Sequence, residues 1–152
     1  MTPAAKDWLE LEKMTRRCFA AVDWAVLGDV YFHEDGERHW GERRPLVVEL
    51  GVQLARRLLR HVAPGGTSLW VGAGVAELPV LLAEAVFVGR EVVAANLIAE
   101  EVDALNAALQ RALPDVPVRY RHGDARDLAG ESTFDQLGCI SVFTDPERWP
   151  AL

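Results

Sequence analysis

Apolar residues follow two different periods along this chain, and the change falls at the Pro64-Gly65-Gly66 turn. Before the turn the spacing is helical. Trp8, Leu11, Met14, Cys18, Phe19 and Val22 recur every three or four residues and predict an amphipathic helix, which Thr2-Pro3 can cap and begin. Val48, Val52, Ala55, Leu58, Leu59 and Val62 form a second stripe, with Pro45 suited to its first turn. Between the stripes, residues 26–33 are rich in β-formers. Glu34-Asp35-Gly36-Glu37 then interposes an Asp-Gly turn before Arg38-His39-Trp40, the pattern of a small hairpin or an ordered loop.

From Thr67 onward short apolar runs alternate with helical stripes. Strands are predicted over 68–71, 91–95, 118–121 and 136–143, and helices over 76–86 and 99–113. Leu97, Val102, Leu105, Leu109 and Leu113 give the second of these helices its apolar stripe, while Glu100, Glu101, Gln110 and Arg111 fall elsewhere on its surface. Strands and helices in alternation, with short connections, imply a doubly wound α/β fold: a mainly parallel sheet with helices on both faces, preceded by an N-terminal helical segment. The expected organisation is a single domain over residues 1–152, with 1–44 forming the N-terminal helix and a hairpin or lid, and 45–152 forming the α/β core.

Composition narrows the function classes. No apolar run approaches the roughly 20 residues needed to cross a bilayer, and Met1 to Asp7 lacks the basic-then-apolar order of a secretory signal, so no membrane partner and a cytoplasmic location are expected. The formal net charge of −7 argues against unaided binding to nucleic acid or an anionic membrane, because phosphate contacts need clustered Lys and Arg. Cys18 and Cys139 are expected to be reduced core thiols. The four histidines, His33, His39, His61 and His122, lack ligand spacing, and no metal site is expected.

In an open parallel sheet, ligands bind at the carboxyl ends of the strands. Four such ends carry candidate chemistry. Gly72-Ala73-Gly74 allows a tight turn and close approach of backbone to a ligand, ahead of a helix start. Asn96 can reach a ribose, and Gly123-Asp124-Ala125 places an acid and backbone amides where they can read a purine amine. Thr144-Asp145-Pro146 follows the last strand, where a substrate is expected; there Asp145 fits a base, or the start of a helix.

Together these segments resemble a class I S-adenosylmethionine-dependent methyltransferase over roughly residues 47–143. Gly72 and Gly74 match the first two glycines of the family's GxGxG loop; Ala76 replaces the third, and Trp70 occupies the usual acidic position. Asn96 stands where the family commonly has an acid on the ribose hydroxyls. His122-Gly123-Asp124-Ala125-Arg126-Asp127-Leu128 is similar to the segment beside the adenine. The resemblance implies S-adenosylmethionine as cofactor, held by Gly72, Ala73, Gly74, Asn96, Leu97, Asp124 and Ala125, and in-line methyl transfer to a small-molecule substrate. It assigns no catalytic residue, since such transfer works by alignment and exclusion of water. A nicotinamide site fits less well, because Glu77 and Asn96 stand where it needs a small residue and an acid.

Each candidate also has a structural reading. The glycines suit tight strand-to-helix packing, Trp70 a core position, Asn96 a strand end, Asp124 the cap of a short turn, and Asp135 a turn before a strand. Tyr31, Phe32, His33, His39 and Trp40 fit a substrate lid or a packed surface hairpin. The alternative function is a catalytically inactive methyltransferase-like domain serving as an interaction or assembly module, consistent with Trp70, Ala76 and Asn96. The family's sheet usually has seven strands and four are predicted here, so 136–143 is expected at an apolar edge, covered either by residues 26–40 or by a twofold copy in a homodimer.

Overall fold

Three helices precede the first strand in the computed structural model, which describes residues 3–32, 36–131 and 133–140. Helix α1 (Ala5–Ala21) begins where the Ala4 amide donates to the Asp7 carboxylate at 2.7 Å; Thr2, the expected cap, lies outside the described residues. Its stripe buries Trp8, Leu11, Cys18 and Phe19.

The expected hairpin over 26–40 is instead a pair of helices, α2 (Trp24–Phe32) and α3 (Gly36–Leu58). Local β-propensity loses here to tertiary packing. Trp24, Leu27 and Gly28 bury one face of α2, and a Cβ on either Gly28 or Gly36 would run into the backbone of the other helix. The Trp40 indole seals the crossing by donating to the Leu27 carbonyl at 3.3 Å. Helix α3 also runs through Pro45 rather than starting there, with Arg44 Nε donating to the Trp40 carbonyl at 3.4 Å beside the interrupted turn. His33, Glu34 and Asp35 lie outside the described residues.

The sheet contains β1 (Thr67–Val71), β2 (Glu91–Asn96), β3 (Val118–His122) and β4 (Gln136–Cys139), all parallel in the order β3-β2-β1-β4. Leu69 faces Val93 on one side and Leu137 on the other. Central β1 and β2 are buried almost throughout, whereas the outer strands alternate, as expected for strands with both neighbours and with only one. A single 3₁₀ turn (Val75–Glu77) leads into α4 (Leu78–Val88), and α5 (Ala99–Ala112) connects β2 to β3. Between β3 and β4 lies α6 (Ala125–Glu131), a helix the periodicity did not predict.

These helices divide unequally between the two sheet faces. Trp70, Val92, Ala94, Val118 and Tyr120 join one continuous core with side chains of α1 to α5. On the opposite face, Leu69, Val93 and Ala95 pack mainly against Leu128 of α6 and against Phe134.

At the amino end of the sheet, the buried Arg90 guanidinium binds Ser68 Oγ at 2.7 Å, the Ala63 carbonyl at 2.8 Å, the Gly65 carbonyl, and the Thr67 carbonyl at 3.2 Å. Asp135 accepts from the Thr67 amide at 2.8 Å and lies 3.9 Å from Arg90, so it fixes the start of β4.

Three expectations are corrected here. Cys139 is exposed, because it points to the thinly covered face, while Cys18 is buried and its thiol is pushed up to about 11 by desolvation. Leu97 lies before α5 rather than on its apolar stripe, and is exposed. The described residues of 26–40 do not cover β4, because α2 packs on α3 and α5 instead. The end of the expected fourth strand, 141–143, lies outside the described residues. No helix among the described residues is long and apolar enough to cross a membrane.

Candidate functional site

The turn after β1 places Gly72 at φ 64°, a left-handed conformation that favours glycine, and leaves it exposed. Ala73 and Gly74 turn inward and are buried. Gly74 is crowded for a different reason: a Cβ there would lie 2.5 Å from Glu101 Oε1 and 2.8 Å from Tyr31 Oη, so those two side-chain ends would have to shift. The third strand contributes from below, where Tyr120 Oη donates to the Gly74 carbonyl at 3.0 Å.

Asn96 is the joint between the strand ends. Its Nδ2 donates to the Ala73 carbonyl at 3.1 Å and to Glu101 Oε2 at 2.9 Å, and its Oδ1 accepts from the Ile98 amide at 2.8 Å. The Asn96 carbonyl accepts from the Gly123 amide at 3.0 Å. The structure therefore brings the ends of β1, β2 and β3 into direct contact. It also engages the Asn96 side chain internally, and its relative exposure is only 8%.

Asp124 caps α6. Its carboxylate accepts from the Arg126 amide at 2.8 Å and from Arg126 Nη2 at 2.6 Å, and the Arg126 side chain, then its amide, hold the carboxyl down at about 2. Asp124 and Ala125 are half-buried, and Leu97 is exposed. Gly72, Leu97, Asp124 and Ala125 are thus the candidates that reach solvent at this end of the sheet. Asp145 lies outside the described residues, and among the described residues no cluster of His, Cys, Asp and Glu can hold a metal ion.

The groups missed in the sequence lie underneath. Glu101, expected on the surface of α5, is fully buried. It accepts from the Val75 amide at 3.1 Å and from Asn96 Nδ2, and Tyr31 Oη shares its proton between the two carboxylate oxygens at 2.8 and 2.9 Å. Burial raises its pKa against the opposing effect of these donors. Burial also raises the pKa of Glu77, whose Oε2 accepts from the Gly74 amide at 2.9 Å, and Glu101 adds to that rise. The Tyr31 and Tyr120 phenols are raised first by desolvation and then by these carboxylates, so both are protonated donors. Glu101 carried a readable signal: with Leu105 and Leu109 it falls at four-residue spacing on the buried side of α5.

No protein-family model and no curated protein matches the sequence. Among solved structures, the chain is similar to MtNAS, a nicotianamine synthase, in complex with MTA and tNA, with 15% identity and a TM-score of 0.53. That similarity covers 95% of this chain and 51% of MtNAS, so the chain spans about half the length of the neighbour. A point mutant of MtNAS gives 14% identity over the same shares, 95% and 51%, and a TM-score of 0.49. A Plasmodium falciparum protein designated protein-L-isoaspartate O-methyltransferase, in complex with S-adenosyl-L-homocysteine, gives 16% identity, coverage of 66% of this chain and 52% of that one, and a TM-score of 0.44.

Proposed function

We propose that this chain, which has the fold of class I S-adenosylmethionine-dependent methyltransferases, binds S-adenosylmethionine at the carboxyl ends of β1, β2 and β3 and methylates a small molecule. One observation carries the reading: the three segments expected to hold the cofactor meet through Asn96, which touches Ala73 on one side and Gly123 on the other. MtNAS binds MTA, a related ligand, on a similar fold. Gly72, exposed at the turn, gives the cofactor a close backbone approach while Gly74 shapes the loop beneath it, Leu97 offers an apolar surface, and Asp124 with the Ala125 backbone stands beside the purine. In the reaction the sulfonium S–CH₃ bond breaks as the acceptor's lone pair forms the new bond. The thioether leaves with the former bonding pair, and the acceptor's proton passes to solvent.

A second reading, an interaction or assembly module without catalysis, is favoured by the bonds already made in the loop. The Gly74 and Val75 amides are taken by Glu77 and Glu101, two groups of the chain itself. Titration calorimetry with S-adenosylmethionine and S-adenosylhomocysteine separates the two. Binding is expected, with Asp124→Ala weakening it; absence of heat at millimolar ligand eliminates the enzyme.

A further inference from the structure

One carboxylate joins three of the elements around the crevice: the glycine loop, the end of β2 and α2. Glu101, at the start of α5, receives the Val75 amide from the glycine loop, the Asn96 amide from the end of β2, and the Tyr31 hydroxyl from α2. Both bonds of the Tyr31 hydroxyl go to this carboxylate, and Tyr31 lies 70 residues from Glu101 in sequence, so the link ties the N-terminal helices to the loop. The lack of a Cβ at Gly74 leaves the space that the Tyr31 hydroxyl and the Glu101 carboxylate occupy side by side.

We propose that Glu101 is the positioning residue of the crevice: it couples docking of the α2–α3 cap to the conformation of the glycine loop, so that the loop receives a ligand only in register with the cap. Tyr31, 43% exposed as a residue, packs its ring on Trp40 at 5.5 Å while its hydroxyl binds Glu101, so displacement of α2 withdraws a donor from Glu101. Glutamine cannot replace Glu101 in this arrangement. One of its two terminal atoms becomes an N–H donor, and Asn96 cannot rotate its amide to suit without losing both the Ala73 and the Ile98 bonds.

The ligand-binding consequence rests on the cofactor reading above; the coupling itself does not, and the two are tested apart. In ligand-free protein, hydrogen exchange is followed in Tyr31→Phe, which removes one hydroxyl and leaves the loop sequence intact. The Val75 amide is expected to exchange about tenfold faster, together with α2, on the scale of a lost charge-assisted bond. Amides of central β2 give the global reference, so only protection lost at Val75 beyond theirs counts. Opening of α2 with Val75 unchanged overturns the coupling, as does unchanged exchange in both.

Calorimetry with S-adenosylhomocysteine then compares Tyr31→Phe, Glu101→Gln and the double variant. Both single variants are expected to weaken binding, and the double variant to do no more than Glu101→Gln alone, the sign of one shared path. Additive losses overturn the role of Glu101 as that path. If the wild-type protein does not bind this ligand, the cofactor reading fails while the exchange result still decides the coupling.

Discussion

The two faces of the sheet are built on different scales. Among the described residues, one is buried by five helices and carries the polar knot of Tyr31, Glu101, Asn96 and Tyr120; the other rests on the seven-residue α6, with Leu137 69% exposed. The difference shows where the chain's hydrophobic burial is concentrated. It also shows where a buried carboxylate is tolerated: on the thick face fixed donors from Tyr31, Val75 and Asn96 satisfy Glu101, whereas Glu84 Oε2, buried on the same side, has no partner among the described residues.

Truncation in the two cores gives the sharpest test. Leu105→Ala, at a fully buried position of the thick face, is expected to cost about 2–5 kcal/mol. Leu128→Ala should fall at or below about 2 kcal/mol, because the thinner layer around it can collapse into the space. Urea unfolding measures both, and equal losses would remove the contrast. Gly138→Ala comes next. Its Cβ would meet the buried Trp70 ring, forcing β4 outward at about 1–3 kcal/mol; a neutral result would show that β4 is not held by this contact.

A smaller effect comes from pH. Burial raises the pKa of Glu101 above its unfolded value, so the folded state holds more protons as the carboxyl titrates. Stability is therefore full below the ordinary carboxylate range and declines as pH rises through the folded pKa. Glu77 contributes with the same sign. Glu101→Gln should flatten part of that slope in urea midpoints taken across pH, and an unchanged slope would contradict the raised pKa.

The smallest change in stability is expected on the thin face, where Leu137→Lys should stay within about 0.5 kcal/mol. We propose a twofold copy of the chain along the β4 edge beside Leu137, which such a charge would dissociate in sedimentation. A wild-type monomer at high concentration would end that proposal.

The α/β half was legible in the sequence because each element there agrees with its own pattern. Val92 to Ala95 is a continuous apolar run and forms a central strand, and the stripe through Leu105 and Leu109 forms a helix. Residues 24–40 were not legible, since Val26, Val30, Tyr31 and Phe32 favour a strand locally while the Gly28–Gly36 contact that selects helices exists only after folding. The turns of the candidate site were readable in the sequence, and the polar groups beneath them were not. Gly72 and Asp124 stand in recognisable turns, whereas the role of Glu101 depends on Tyr31, which the sequence places far away.

Arg90 gives the sheet a datum. Parallel strands have no tight turns to fix their alignment, and sliding one by a single residue exchanges its two faces. This guanidinium stands at the start of β2 and measures β1 through Ser68 and Thr67, with Asp135 setting β4 against the same point. A misaligned β1 would strand a buried positive charge without its carbonyls, so the correct alignment is selected electrostatically as well as by the apolar layers that close over it.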